Sequence, residues 1–516
     1  MKLSNCAQMR ELDRVAIEDL GIPGVVLMSN AAGHVAAAAL EYLTPGGCAA
    51  VFCGTGNNGG DGIGAAALLM EKGVPLRVFL IGSEDKLTPD SKNMLHRLTA
   101  LGGTLEQFSE YDESEDYINA CDVIIDAMFG IGLNSDLRGE ALLTANMINA
   151  SNARVVSADI PSGVNADTGA IMGGAVMADV TVAFSYAKPG HFVEPGCIQC
   201  GELRVREIGI PRNLIDASES DVFAVVPDCV FLPRRRPDSH KGDYGRCLIV
   251  AGSVGYTGAP ALSARAASRM GAGLVFLGVP DRIYDAMSVK LDEEMPFPLP
   301  GDGNGRLALS AASELIRRAD ECDVCLIGPG LGRSADISRL VMSLLRESKT
   351  PIVLDADGLN AISGNEDILK KAACPLILTP HPAEFSRLGG DIATGGRLSA
   401  ARDFARTHGC ILVLKGHRTI TAMPDGTAYI NTTGGPALAK GGSGDALAGM
   451  IAALIGQKFQ LKDAVTTAIY LHGFAGDLCA SEYGEYSVSA GDVIAMLPKA
   501  ILSCRKKTDI MSCKEH

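Results

Sequence analysis

The chain has 516 residues, of which 47% are hydrophobic and 21% charged, with a formal charge of −14 and 60 glycines. This is too long for one ordinary core and too apolar for a disordered chain, so two or three domains are expected. The acidic balance argues against nucleic acid as a main partner, and no apolar run reaches the roughly 18 residues of a membrane span. The 15 cysteines, with no secretory leader pattern before them, suit a reducing cytoplasm.

An amphipathic helix is expected from about Ser4 to Leu20. Short apolar runs bounded by Gly and Pro then alternate with helical patterns, at 49–54, 76–82, 122–130, 153–161 and 179–186. Such runs are what a parallel sheet covered on both faces looks like. In these sheets ligands lie beyond the carboxyl ends of strands, so the residues after each strand matter most. The first strand is followed by "CGTGNNGGDG", which lacks both the lysine of a P-loop and the spacing of a dinucleotide fingerprint. Later strand ends carry "DAMFGIGLNSD" and "DIPSG". Asn58, Asp126, Asp159 and Ser162 thus reach one edge. They form an oxygen-rich set without cations, suited to a hard cation such as K⁺, Mg²⁺ or Ca²⁺. Glycine N–H groups would hold phosphate beside it. Each loop alone also reads as an ordinary turn or cap.

The pattern stops near Pro211, and a proline-flanked basic run, Arg234–Arg236, reads as solvated linker. The expected division is 1–216, a linker 217–232, and 233–516. A second alternating series follows, with strands expected at 246–253, 273–280, 323–330, 351–358, 375–382 and 410–417, and long helices after Asp445. Its strand ends carry "GSVGYTGAP", "GPGLG", "DADGLN", "TPHPAE" and "KGHRT". The most specific is "TTGGPALAKGGSGDALAG", in which Gly441, Gly442 and Gly444 precede Asp445 at a helix start. Such a loop aims N–H groups at a phosphoryl group, with the Asp beside it as base for a hydroxyl. The plainer alternative is a helix cap. His381, between two prolines, reads as a substrate contact or a satisfied loop histidine. Two C-x-x-C pairs, Cys197/Cys200 and Cys322/Cys325, lie too far apart for a zinc ribbon and read as incidental thiols.

Through these motifs nearly the whole chain resembles the bifunctional NAD(P)H-hydrate repair enzymes. The first half resembles the epimerase domain, through "MRELDRVAIEDLGIPGVVLMSNAAG", "GTGNNGGDG", "DAMFGIGL" and "DIPSG". The second resembles the ADP-dependent dehydratase domain of ribokinase-like fold, through "KGDYGRCLIVAGSVGYTGA", "IGPGLG", "DADGLN", "LTPHPAE" and "GGSGDALAGMIA". The fold expected is therefore α/β in two domains, a Rossmann-like parallel-sheet domain and a ribokinase-like one.

The resemblance implies that Asn57, Asn58, Gly59, Gly60 and Asp61 hold the hydrated dinucleotide. Gly130, Ile131, Gly132, Leu133, Asn134, Ser135 and Asp136 would join them. Asn58, Asp126 and Ser162 would bind K⁺, and Asp159 would contact the reacting ring as acid/base. In the second domain Ala259, Gly330, His381 and Asp445 would line the hydrated nicotinamide. Lys415, Gly416, His417, Arg418 and Thr419 would hold ADP. So would Gly435, Pro436, Ala437, Leu438, Ala439, Lys440, Gly441, Gly442, Ser443 and Gly444. Mg²⁺ would accompany the phosphates. Departures stand at Ser29, where the family often has Glu, and at Ala383 and Ala437, where glycine is common.

The activity implied is interconversion of the R and S hydrates of NADH or NADPH, then ADP-dependent dehydration of the S epimer to AMP and phosphate. A homo-oligomer without nucleic-acid or membrane partners is expected. The rivals are a ribokinase-like small-molecule kinase fused to a nucleotide-binding domain, and a binding module with an epimerase-like fold.

Overall fold

The computed structural model describes residues 1–108 and 114–512. The chain divides into two compact units, Lys2–Val222 and Phe223–His516 with Met1.

In the first unit the described strands are β1 (Ala49–Cys53), β2 (Leu76–Leu80), β3 (Leu105–Gln107), β4 (Val123–Ala127), β5 (Arg154–Ala158), β6 (Val180–Phe184) and β7 (Glu202–Arg206). They form one parallel sheet in the order β3-β2-β1-β4-β5-β6-β7. The period of two along β1 feeds two cores. Ala49, Val51 and Cys53 join one apolar cluster, with the helix Gly24–Leu40; Ala50 and Phe52 join the other. Phe52 stacks on Phe79 at 5.1 Å, and Phe108 meets both rings edge-on. The edge strands β3 and β7 were not read from the sequence; their short, charged runs carry no clear period.

The opening segment is a helix, Cys6–Arg14, followed by one π-helical turn, Val15–Asp19. Asn5 caps it reciprocally with Gln8, at 2.8 and 2.9 Å.

In the second unit the described strands are β8 (Val222–Val225), β9 (Arg246–Val250), β10 (Leu274–Pro280), β11 (Met295–Leu299), β12 (Val324–Ile327), β13 (Ile352–Leu354), β14 (Leu376–Leu378), β15 (Ile411–Leu414), β16 (Ile420–Ala422) and β17 (Ala428–Asn431). Their order is β11-β10-β9-β12-β13-β14-β15-β16-β17-β8. The sheet is parallel from β11 to β15, and β16 and β17 add an antiparallel meander. The helix Ser443–Gly456 is buried almost all round. It packs so closely on the helix Gly258–Arg269 that a Cβ on Gly449 would lie 2.1 Å from Ser263 O.

The segment 217–232, read as linker, contains β8, which lies beside β17 at the sheet edge. Phe223 stacks on Tyr429 at 5.4 Å and Thr432 Oγ1 donates to Val225 O at 2.6 Å, so a four-residue strand is held by distant partners that composition alone does not reveal. Arg234–Arg236 stays exposed as read, yet Arg235 stacks over Tyr244 at 3.7 Å and donates to Gln457 Oε1 at 3.1 Å.

Candidate active sites

In the first sheet the chain turns to β2 and β3 on one side of β1, while β4 lies on the other. A crevice opens at such a point beyond the carboxyl ends of β1 and β4. The glycine segment fills it. A Cβ on Gly54 would lie 1.9 Å from Met128 O, and one on Gly59 would lie 1.8 Å from Gly54 O, so backbones meet where side chains cannot. The helix begins at Asn57, which makes Asn57–Asp61 its first turn rather than a loop. The N–H groups of a first turn have no partners inside the helix and suit an anion. Asn58 packs on Gly130, where a Cβ would lie 3.2 Å from Asn58 Oδ1, and its buried Nδ2 has no hydrogen-bond partner.

Asp126, read as a residue of the loop after the strand, is inside β4 and fully buried. Its carboxylate accepts from Ser162 N at 2.8 Å, Ser162 Oγ at 2.5 Å and Ser157 Oγ at 2.8 Å. Burial raises its pKa, and the hydrogen bonds from Ser162 and Ser157 pull it back. These groups fit a monovalent cation. The set is rich in oxygen and carries one carboxylate, and Asn58 would meet the ion through Oδ1.

Asp159 follows β5 with φ of 63°, a conformation that costs energy for a non-glycine residue and marks functional sites. Three neighbours hold it there. Its N–H donates to Val182 O at 2.8 Å, its carbonyl accepts from His191 Nε2 at 2.8 Å, and its carboxylate is ion-paired with Lys188. Lys188 is 1% exposed. His191 Nδ1 accepts from Lys188 N at 2.9 Å, which assigns the neutral Nε2–H tautomer. Burial first, then Lys188, lowers the His191 pKa to about 4.

A cavity of about 560 Å³ joins these parts. Its wall includes Asn57, Asn58, Asp61, Gly130–Leu133, Asp159 and Lys188. Gly59 and Gly60 lie buried behind it, and Asn134, Ser135 and Asp136 lie exposed beyond it. The sequence reading missed Lys188 and Asp13. Lys188 lies in "SYAKPGH", where a lysine before a proline after a strand was the available signal. Asp13 shares a stripe with Met9 and Ile17 at helical spacing, and that stripe lines the cavity.

The second sheet repeats the logic between β9 and β12. Gly252 N donates to Pro329 O at 2.8 Å, and Ser253 Oγ donates to Gly330 O at 2.8 Å. Gly330 has φ of +66°, and a Cβ there would lie 3.3 Å from Ala259 Cβ, so these two expected substrate residues are neighbours. Asp445 stands in the first turn of the helix Ser443–Gly456, after Gly442 at φ of +94°. Burial first, then Asp355, raises its pKa to about 7, while Lys415 opposes. Lys415 Nζ pairs with Asp355 Oδ1 at 2.8 Å, and Thr379 Oγ1 donates to the same oxygen at 2.7 Å. A Cβ on Gly444 would lie 3.2 Å from Lys415 Nζ, which brings the lysine onto the glycine turn. Asp355 and Glu384 were also missed, although "DADGLN" and "TPHPAE" were noticed.

His381 caps the helix Pro382–Arg387. Its Nδ1 accepts from Ala383 N at 3.1 Å and Glu384 N at 3.4 Å, and Glu384 returns a bond to His381 N at 2.9 Å. Arg397 Nη1 donates to His417 O at 2.8 Å and Arg418 Nη1 to Thr432 O at 2.5 Å, which fixes the 415–419 turn. Pro436–Leu438 forms a 3₁₀ turn with Ala437 buried, so Ala437 acts by packing. Ser29 Oγ donates to Val25 O at 2.7 Å and is satisfied on its own helix. The cysteines described are all free, and among the described residues no cluster of three or more His, Cys, Asp or Glu could hold a metal ion. No helix described is long and apolar enough to cross a membrane.

Residues 24–190 match the family model for the YjeF-related protein N-terminus, and 247–499 match that for NAD(P)H-hydrate dehydratase. The chain is 38% identical over 511 residues to the bifunctional NAD(P)H-hydrate repair enzyme of Thermofilum pendens, covering 98% of this chain and 97% of that one. It is 39% identical over 521 residues to the enzyme of the same name from Moorella thermoacetica, covering 99% and 98%. Among solved structures it is similar to an ADP/ATP-dependent NAD(P)H-hydrate dehydratase from Bacillus subtilis crystallised with ATP and Mg²⁺. There the identity is 31%, the TM-score 0.45, and the coverage 53% of this chain and 94% of that one. With two strand-end sites in two α/β units and full-length relatives, the chain belongs to the family of bifunctional NAD(P)H-hydrate repair enzymes.

Proposed function

We propose that each site performs one half of the repair: the crevice at Asp159 epimerises the C6 carbon of hydrated NADH or NADPH, and the site at Asp445 dehydrates the S epimer with ADP. The carrying observation is that each sheet brings a lysine–aspartate pair from its strand ends to a glycine-rich helix start, Lys188–Asp159 on the cavity lined by Asn57 and Lys415–Asp355 at the Gly444 turn.

In the first site the helix start at Asn57 would hold the pyrophosphate through backbone N–H groups. Asp159, aimed by Val182, His191 and Lys188, is placed to move a proton at the C6 hydroxyl. Asn58, Asp126 and Ser162 would hold K⁺, which when bound offsets phosphate charge.

In the second site Asp445 takes the proton of the C6 hydroxyl, and the oxygen attacks the β-phosphorus of ADP. AMP departs. The resulting C6 phosphate ester leaves far more readily than hydroxide, and loss of a C5 proton restores the dihydropyridine. Lys415 and the N–H groups of 441–444 would meet the charge that develops on the phosphoryl oxygens. Mg²⁺ would arrive chiefly on the phosphates, since the described residues build no all-carboxylate cage.

The test is incubation with mixed R and S hydrates plus ADP, following the absorbance of restored dihydronicotinamide. Full conversion with formation of AMP and phosphate supports both activities. Conversion stopping at the S fraction removes the epimerase. A stable phosphoester made from ATP would support a kinase instead.

A further inference from the structure

Two carboxyl groups on the first cavity have no use in the scheme above. Asp13 and Asp61 both line it with Asp159 and Lys188, and among the described residues neither has a side-chain hydrogen bond or ion pair. Carboxyl groups that turn to a cavity rather than to protein partners are left for a substrate to complete. Asp61 lies deep in the first turn of Asn57–Glu71 and is 8% exposed. Asp13 comes from a different element, the helix Cys6–Arg14, and reaches the cavity between Met9 and Ile17. The crevice therefore presents carboxyl groups from two independent walls: Asp159 from the sheet, clamped by a lysine, and Asp13 from the opening helix, unclamped.

Inverting C6 needs a proton given as another is taken. We propose that Asp13 is the acid partner of Asp159 in epimerisation, an inference that rests on the epimerase reading of this site. The Asp159 carboxylate takes the proton of the C6 hydroxyl. The C6–N1 bond breaks with its electron pair passing to N1, C6 becomes an aldehyde carbon, and Asp13 gives its proton to N1. Rotation about C5–C6 turns the aldehyde over. N1 then re-adds to C6, returns its proton to Asp13, and the alkoxide recovers the proton held by Asp159. No atom is lost, and both carboxyl groups end as they began. Ring opening therefore needs two proton carriers, and Asp159 and Asp13 face the cavity from two different elements.

The charged groups around Asp13 agree with this division. Burial first, then Asp159, raises its pKa to about 6, and Lys188 opposes. Asp61 is raised well above the ordinary range by burial first, then by Asp159 and Asp13, while Lys188 opposes. Arg10 from the same helix and Asp90 from the helix Pro89–Ala100 also line the cavity. A group titrating near the working pH exchanges protons best.

The experiment measures R-to-S interconversion by the full chain without ADP, as kcat/KM against pH. Wild type is expected to lose activity as pH rises through the Asp13 titration. Asp13→Asn should lose about 10²–10⁴-fold in kcat with KM changed less than about threefold, and should lose that alkaline limb. Asp13→Glu should recover part of the rate with the limb displaced. Asp61→Asn should raise KM and keep the limb. Dehydration of pure S hydrate by the same preparation monitors folding, and a poorly folded Asn variant leaves the displaced limb of Asp13→Glu as the deciding reading. Interconversion by Asp13→Asn within threefold of wild type, or a limb unmoved in Asp13→Glu, overturns the acid role and leaves the epimerase reading standing. Absence of interconversion in wild type overturns that reading itself.

Discussion

Lys415 Nζ and Asp355 Oδ1 form a 2.8 Å ion pair beneath the glycine turn that carries Asp445, with Asp355 only 1% exposed. Both charges act on Asp445 with opposite signs. Asp355 raises its pKa, and Lys415 lowers it. Dehydration needs the Asp445 carboxylate, so the rate should rise with pH through about 7. Lys415→Met should move the half-maximal pH upward by roughly one unit and raise KM for ADP. It also strands Asp355, at a cost of about 3–5 kcal/mol, seen as a lower melting temperature. A half-maximal pH that stays put in kcat profiles would show that Lys415 does not govern Asp445.

Asp445→Asn should separate function from stability. Loss of a positioned base costs about 10²–10⁴-fold in dehydration rate. The glycine turn is backbone and should keep its ADP affinity. The folded pKa of about 7 lies above the unfolded value, so the native state binds a proton that the unfolded chain has released, and stability falls as pH rises from about 4 to 7. Above 7 the buried carboxylate is a net cost. The neutral variant should therefore be more stable at pH 8 by about 1–3 kcal/mol, discounted for partial exposure, with little difference at pH 4. Denaturant midpoints at the two pH values check the sign. Equal midpoints at pH 8, or half of wild-type turnover retained, would remove Asp445 from this role.

The division into strands and helices was legible because buried parallel strands are short apolar runs. The glycine segments were legible because close backbone approach excludes every other residue, as Gly54 and Gly59 show. What stayed hidden depends on non-local partners. β8 is four residues paired with β17 and stacked on Tyr429, which lies far away in sequence. Asp13 and Lys188 reach one cavity from distant segments, and the local signal each carries does not say that the two meet. Asp126 was read into the loop although it lies in β4, because a buried carboxylate inside a strand is improbable without the Ser157 and Ser162 donors that satisfy it.

The two units should work apart if cut where the sheet edge permits. Leu3 N donates to Val222 O at 3.0 Å, and Ser220 Oγ to Leu3 O at 2.6 Å, so a first fragment should extend to Val222. A second fragment should begin before Phe223 to keep β8 on β17. The first is expected to epimerise without ADP, and the second to consume only the S hydrate. A second fragment starting at Pro233 exposes the edge of β17 and should melt lower or aggregate. Size-exclusion profiles and single-epimer assays decide. Rapid consumption of both epimers by the second fragment would break the division of labour.

The cation expected at Asn58, Asp126 and Ser162 can be tested through its charge. Asp126 is wholly buried with a pKa raised by burial, so its carboxylate gains from a bound cation more than an exposed one would. K⁺ suits the set better than Mg²⁺, because only one of the three side chains is a full carboxylate and Mg²⁺ demands tight octahedral geometry. Epimerisation should fall when K⁺ is exchanged for a bulky organic cation and recover on its return. Asp126→Ala should abolish that response, slow epimerisation at least tenfold, and leave dehydration of pure S hydrate unchanged. Asp126→Asn, which keeps hydrogen-bonding capacity but not charge, should fold well and still respond weakly. A crystal structure in K⁺ buffer should show a ligand near Asn58 at long, potassium-like oxygen distances. Water at that position, together with epimerisation indifferent to K⁺, would return the three residues to a structural role, with Asp126 serving only to tie the turn at Ser162 to β4.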